Sequence, residues 1–476
     1  MIERLWLQPP LAFARLGSST VPCDNYRWGP SDLTPHGTGK TTVVPDLTLD
    51  LGADGTLSAR MPERVQFKDS AGWRPVCPYF EVHGSWTVDG KAGEGPLTER
   101  VLADSGLSLA DIRWEVSVAN LKAYHLTQQE GDRIEARVEV AGDDNQRHVL
   151  AGVSPQDEED PLVPSGTSLP LGAVQLPVPN PELPGLRLRF TPGSGFVYGP
   201  TDLPDPRSEA DYDIPAGRRI LNPDSGWVGF VPPETDPRTA PGDLFAGAEL
   251  GRSVGLVDDV CDGTVTVRLP GGLSATARIV AGPPDFTPDR RPFVSLADGL
   301  ADRLKRDEVR QPGFLEDEQT VLEIRDLFER VLETMNAVNV DVQNERSGGL
   351  NARIAPALNV SPTEARALAF EPPQPLLGLL LGLSERGRRR HRRFVALEVL
   401  EDMLREQPDL ISRWIRPPAV PAAEAGASLA SSRFYTRQMP SGMRGSDAYP
   451  LHLTRRQYDL LVGWAARLSE DTEPNT

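Results

Sequence analysis

Apolar and polar residues alternate at period two in several short stretches of the first 300 residues. "RIEARVEVAG" (133–142) and "GLRLRFTPG" (185–193) each place their apolar side chains on one face of an extended chain. The clearest case is "GTVTVRLPGGLSATARIVAG" (263–282). Val265, Val267 and Leu269 fall on one face, Thr266 and Arg268 on the other, and "PGG" reads as the turn into a strand returning over 274–280. Sheets with one apolar face have to cover it, which predicts a sandwich or stacked-sheet body. Short helical pieces interrupt this region: "LTERVLADSGLSLADIRWEV" predicts a helix, a glycine stop and a strand, and 121–128 predicts another short element. Proline-rich tracts at 151–216 and 230–247 read as irregular segments wrapping the surface, because each proline fixes φ and removes a backbone donor.

The period changes near residue 315. "DEQTVLEIRDLFERVLETMNAVN" carries Val321, Ile324, Phe328, Val331, Met335 and Val338 at helical spacing, with acidic residues at its start. Ser361 and Glu364 form a capping-box pattern, and so do Thr454 and Gln457 ahead of Tyr458, Leu461 and Trp464. "RRFVALEVLEDMLREQPDL" predicts an amphipathic helix stopped by Pro408. The expected class is therefore α+β: a β-rich body of antiparallel sheets over 1–300, a helical region over 301–415, a Pro/Ala linker over 416–430 and a helical segment over 431–476.

Composition narrows the classes of function. Apolar residues make up 39% and charged residues 25%, which is globular rather than disordered. A net charge of -18 argues against nucleic acid as a partner, since phosphate binding requires a positive surface. The N-terminal apolar run is broken by Pro9 and Pro10, unlike the continuous core of about 7–15 residues in a signal peptide, and "PLLGLLLGL" is shorter than the roughly 20 residues that span a bilayer. A soluble, cytoplasmic protein is expected, with no membrane contact. Cys23, Cys77 and Cys261 are far apart in the chain and form no CxxC pair, which suits a reducing compartment.

No local motif declares a reaction. "HGTGKTT" (36–42) lacks the first glycine of a phosphate loop, and an extended segment rather than a helix follows it. "GVSPQ" and "PGSGF" both miss the nucleophile-elbow pattern. The six histidines share no metal-ligand spacing. In "VDDVCDG", Asp258, Asp259 and Asp262 have the chemistry to hold a cation, but the stretch reads better as the turn before a strand. His83 and His125 read as sheet-edge or packing residues. The basic run at 386–393 (Arg386, Arg388, Arg389, Arg390, Arg392 and Arg393, beside His391) suits contact with an acidic protein surface.

Several separated blocks then occur in a recognisable order: "LWLQPPLAFARLGSS", "VQFKDSAGWRPVCPYFEVHG", "IRWEVSVANLKAYH", "DDVCDGTVTVRLPGGLSATARIVAGPPDFTP", "RQMPSGMRGSD" and "LHLTRRQYDLLVGWA". Together they resemble the LodA/GoxA-like family of amino-acid oxidases, which carry a self-made cysteine tryptophylquinone. In that family the cofactor cysteine and tryptophan, and the aspartate that helps build the quinone, lie beyond the last block. Here no cysteine follows Cys261, Trp464 matches the family's helix tryptophan, and twelve residues remain after it. The resemblance therefore implies the family scaffold without a cofactor, acting through a protein partner or as a homo-oligomer. Two alternatives stay open. One is an enzyme of different chemistry in the inherited cleft, with His83, His125, Asp258 and Asp259 as candidate groups. The other is one half of a split oxidase.

Overall fold

A computed structural model describes residues 1–29, 43–158, 161–199, 257–285, 288–311, 313–314, 318–337, 397–415, 417–418 and 452–470. The principal strands are β1 (Ile2–Gln8), β2 (Leu11–Arg15), β3 (Tyr79–Val88), β4 (Lys91–Pro96), β5 (Arg113–Asn120), β6 (Ile134–Ala141), β7 (His148–Gly152), β8 (Leu169–Gln175), β9 (Arg187–Pro192), β10 (Val197–Tyr198), β11 (Val257–Asp258), β12 (Cys261–Arg268) and β13 (Ser274–Gly282). The helices are α1 (Glu99–Asp104), α2 (Lys122–Thr127), α3 (Leu296–Lys305), α4 (Glu318–Ala337), α5 (Leu397–Glu406), α6 (Leu410–Trp414) and α7 (Arg455–Glu470).

The chain divides into two units, one of residues 1–27 and 44–286, the other of 28–43 and 287–476. The first contains a six-stranded sheet in the order β1-β3-β9-β8-β7, with β4 added to β3, and a five-stranded sheet in the order β6-β5-β12-β13-β2. All pairs are antiparallel except β13 with β2. Both sheets contribute side chains to one apolar core, Phe80, Leu188 and Phe190 from the first and Val116, Val265 and Ile279 from the second. The class is α+β, as the alternating pattern predicts.

The hairpin at 263–282 forms in the expected register. Val265 and Val267 are buried in the core, and Gly271 and Gly272 turn the chain at φ +83° and +86°, which only glycine adopts without strain. Thr266 and Thr276 face each other on the outer side, with hydroxyls 2.9 Å apart. The returning strand runs on to Gly282, two residues past the expected end. The proline-rich stretch supplies β9, the strand that the alternation over 185–193 predicts, and also β8, where the sequence reads as irregular chain. Both are interior strands of the six-stranded sheet, because the prolines fall at strand ends or on outward positions such as Pro170.

The second unit has its own core of Phe293, Ile324, Leu404, Leu460, Leu461 and Trp464. Both termini of the capping box at α7 form: Thr454 N–H donates to Gln457 Oε1 at 2.9 Å, and Gln457 N–H to Thr454 Oγ1 at 3.2 Å. Ser295 and Asp298 make the same box at α3. The capping pattern at Ser361, the 230–247 tract, the linker at 416–430 apart from 417–418, the loop at 36–42 and the arginines at 386–393 lie outside the described residues. Among the described residues, no helix is long and apolar enough to cross a membrane.

Candidate functional site

Strand β10 pairs with β11 at the two places where the chain enters and leaves residues 200–256. Asp258 ends β11 and Asp259 opens the turn ahead of β12, and the two lie in the interior of the first unit. Both are buried, Asp259 completely. An isolated buried charge is costly, so each carboxylate needs partners.

Asp258 has them. Lys122 Nζ, at the start of α2, lies 2.5 Å from its Oδ2. Buried Asn120, the last residue of β5, donates from Nδ2 to the Asp258 carbonyl at 2.8 Å, and its own Oδ1 accepts the Lys122 N–H at 3.1 Å. The "VANLK" segment therefore places one amide and one ammonium on Asp258 from positions two residues apart.

Asp259 is held differently. Its Oδ2 accepts the Gly195 N–H at 3.0 Å, while its Oδ1 is buried without a hydrogen-bond partner. The turn 193–196 closes over it. A Cβ on Gly193 would come within 2.4 Å of Asp259 Oδ2, and Gly195 sits at φ +82°, so both positions require glycine. Burial pushes the Asp259 carboxyl up to about 6, against the lowering effect of the Gly195 and Phe196 N–H groups, and the neighbouring Asp258 charge adds to the rise. This carboxyl changes protonation close to neutral pH, which general acid–base chemistry demands.

The thiols are not nucleophiles here. Burial, followed by Asp259, Asp262 and Asp258, drives the Cys261 thiol far up, and its Sγ points at the Leu171 carbonyl, 3.4 Å away. Burial also raises Cys77, and raises Cys23 to about 11. All three stay protonated near neutral pH.

Of the four candidates named from sequence, the structure brings Asp258 and Asp259 together and leaves the histidines apart from them. His83 lies inside β3, between β1 and β4, with Nε2 2.8 Å from Glu81 Oε1 and its ring against Trp6, so it is interior to the sheet rather than at its edge. His125 is exposed on α2 beside Tyr124. Asp262 points outward from β12, and among the described residues no three His, Cys, Asp or Glu side chains converge as metal ligands. Sequence reasoning missed Asn120, Lys122, Gly193 and Gly195. The glycines stood in "PGSGF", which was tested only as a nucleophile elbow and is instead the cover of a carboxylate.

No family model matches the chain, and no curated protein matches it. Solved structures of the lysine ε-oxidase of Marinomonas mediterranea do. One is 16% identical with a TM-score of 0.38, covering 69% of this chain and 45% of that one. A Schiff-base intermediate of the same enzyme with L-lysine is 18% identical at 0.36, covering 75% and 50%. A third is 16% identical at 0.39, covering 97% and 60%. The chain spans about half the length of these structures. With scores below one half, the architecture rests on this chain's own strands and the chemistry on its own side chains.

Proposed function

We propose that the β-rich unit binds a small amine-bearing molecule at Asp259, which receives an ammonium group or takes up its proton. The observation that carries this reading is the fully buried Asp259 Oδ1 with no donor. Such an oxygen needs either a proton or a cationic donor from outside. Lys122 is committed to Asp258, so the negative charge left over belongs to Asp259. Entry requires the glycine turn 193–196 to lift.

Calorimetric titration with glycine, L-lysine and n-butylamine tests this at about pH 7.5 and about pH 5, on either side of the Asp259 transition. Saturable binding is expected at the higher pH, weakening at least about tenfold at the lower pH and in Asp259→Asn. Equal affinity in the variant, or no binding by any of the three amines, overturns the proposal and leaves Asp259 as an anchor of its turn.

A second reading, an accessory protein acting through contact with a second copy, is favoured by one observation in the other unit. Leu296, Leu300 and Leu304 recur every fourth residue along α3 and stay 49%, 50% and 80% exposed. Light scattering is expected to give a dimer for the wild type and a monomer for Leu300→Glu/Leu304→Glu. A monomeric wild type removes this reading.

A further inference from the structure

The turn at 193–196 is thinly held. Gly195 N–H donates to Asp259 Oδ2 at 3.0 Å, and Gly17 N–H reaches the Gly193 carbonyl at 3.4 Å. Strand pairing begins only beyond the turn, at Val197 opposite Asp258. Two of its four residues are glycines, and the other two, Ser194 and Phe196, are exposed, Phe196 at 45%. The turn therefore sends no side chain into the core to anchor it. Gly195 lies on Leu16, whose Cβ is 3.5 Å from the place a Gly195 Cβ would take.

Beneath the turn Asp259 is completely buried, and its Oδ1 has no hydrogen-bond partner. With the turn closed, ionisation of this carboxyl costs hydration that the turn's N–H groups do not replace. With the turn lifted, water reaches both oxygens and the carboxyl ionises as an ordinary one does. The two positions of the turn thus hold a proton with different strength, and by linkage the proton favours the closed one. Other groups facing Asp259 keep their charge near neutral pH. Asp258 is paired with Lys122. Burial holds the Tyr198 phenol and the Cys261 thiol far above their ordinary values, so both stay neutral. Arg15, beside the Leu16–Gly17 segment under Gly195, is paired with Asp285, and Asp262 points outward.

We infer that the 193–196 turn is a proton-operated gate, latched over the neutral Asp259 carboxyl and released when that carboxyl gives its proton to water. The gate regulates the amine site described above and rests on that reading for its purpose. The same ionisation that opens the way in also creates the negative charge that an ammonium group needs, so access and affinity rise together with pH.

Amide hydrogen exchange of the intact chain, with no amine present, tests the gate. The segment 193–197 is followed by mass spectrometry, and each rate is divided by the intrinsic exchange rate at that pH, so that protection reports opening alone. The carboxyl ionises at its ordinary 3.8 in the lifted turn and at about 6 in the closed one. Protection should therefore fall about tenfold between about pH 5 and about pH 7.5 and level off above about pH 7. Asp259→Asn, which cannot ionise, should show the same protection at both pH values. If that variant does not fold, the levelling-off in the wild-type profile decides. Wild-type protection that does not change with pH, or that falls equally in Asp259→Asn, overturns the gate. The outcome is separate from that of the amine titration. Falling protection with no amine bound keeps the gate and removes the binding reading, and amine binding with constant protection does the reverse.

Discussion

A carboxyl that titrates near neutrality leaves a mark on stability as well as on chemistry. Burial raises Asp259 from its ordinary 3.8 to about 6. The folded chain thus keeps this proton to a higher pH than the unfolded chain does, and unfolding releases it between those two values. Stability contributed by the group therefore falls as pH rises through that window, by about 3 kcal/mol in total, and is lost above it. Urea unfolding of wild type and Asp259→Asn across this range should show the wild type losing this amount relative to the variant as pH rises, with no further change above about pH 7. A difference that is flat with pH would mean the carboxyl is solvated. Position alone separates Asp259 from Asp258: adjacent in sequence, one faces Lys122 and the other a glycine turn.

Strand and helix each contain a glycine whose replacement has the opposite sign. Gly263 in β12 sits so close to β5 that a Cβ would lie 1.9 Å from the Ser117 carbonyl oxygen. Gly263→Ala forces two hydrogen-bonded strands apart and is expected to destabilise the first unit by about 3 kcal/mol. Gly299 lies inside α3 with open space where its Cβ would go. Gly299→Ala should stabilise by about 0.5–1 kcal/mol, the helix propensity gained without any clash. Thermal or urea unfolding of the two variants checks both signs. The same local physics explains which elements were legible beforehand. The hairpin at 263–282 and the capping box at Thr454 and Gln457 depend on neighbours in the chain, so pattern and cap residues were enough. Strand β9 was legible too, in the alternation over 185–193, whereas β8 was hidden because Pro164, Pro170, Pro177 and Pro179 surround a short apolar run that does not alternate.

Each of the two units has a core of its own, one built from sheet faces and the other from helix stripes. Phe190→Ala removes a ring that is fully buried in the first core, and Leu460→Ala a side chain that is fully buried in the second. Each should cost about 3–5 and about 2–5 kcal/mol respectively. Calorimetry should resolve two transitions, with each substitution lowering only its own. A single transition shifted equally by both would show that the two cores unfold together.

Alternation, caps and turn glycines determined, from sequence by itself, that the chain is α+β, where its best hairpin turns and where its last helix begins. These are short-range properties, set by period and by hydrogen bonds a few residues long. Tertiary structure decided what the polar residues are for. It separated His83 and His125 from the aspartates, brought Lys122 and Asn120 to Asp258 and closed the 193–196 turn over Asp259. Those outcomes depend on which strands lie side by side and on how much water each charge keeps, and both are properties of packing between segments up to 138 residues apart.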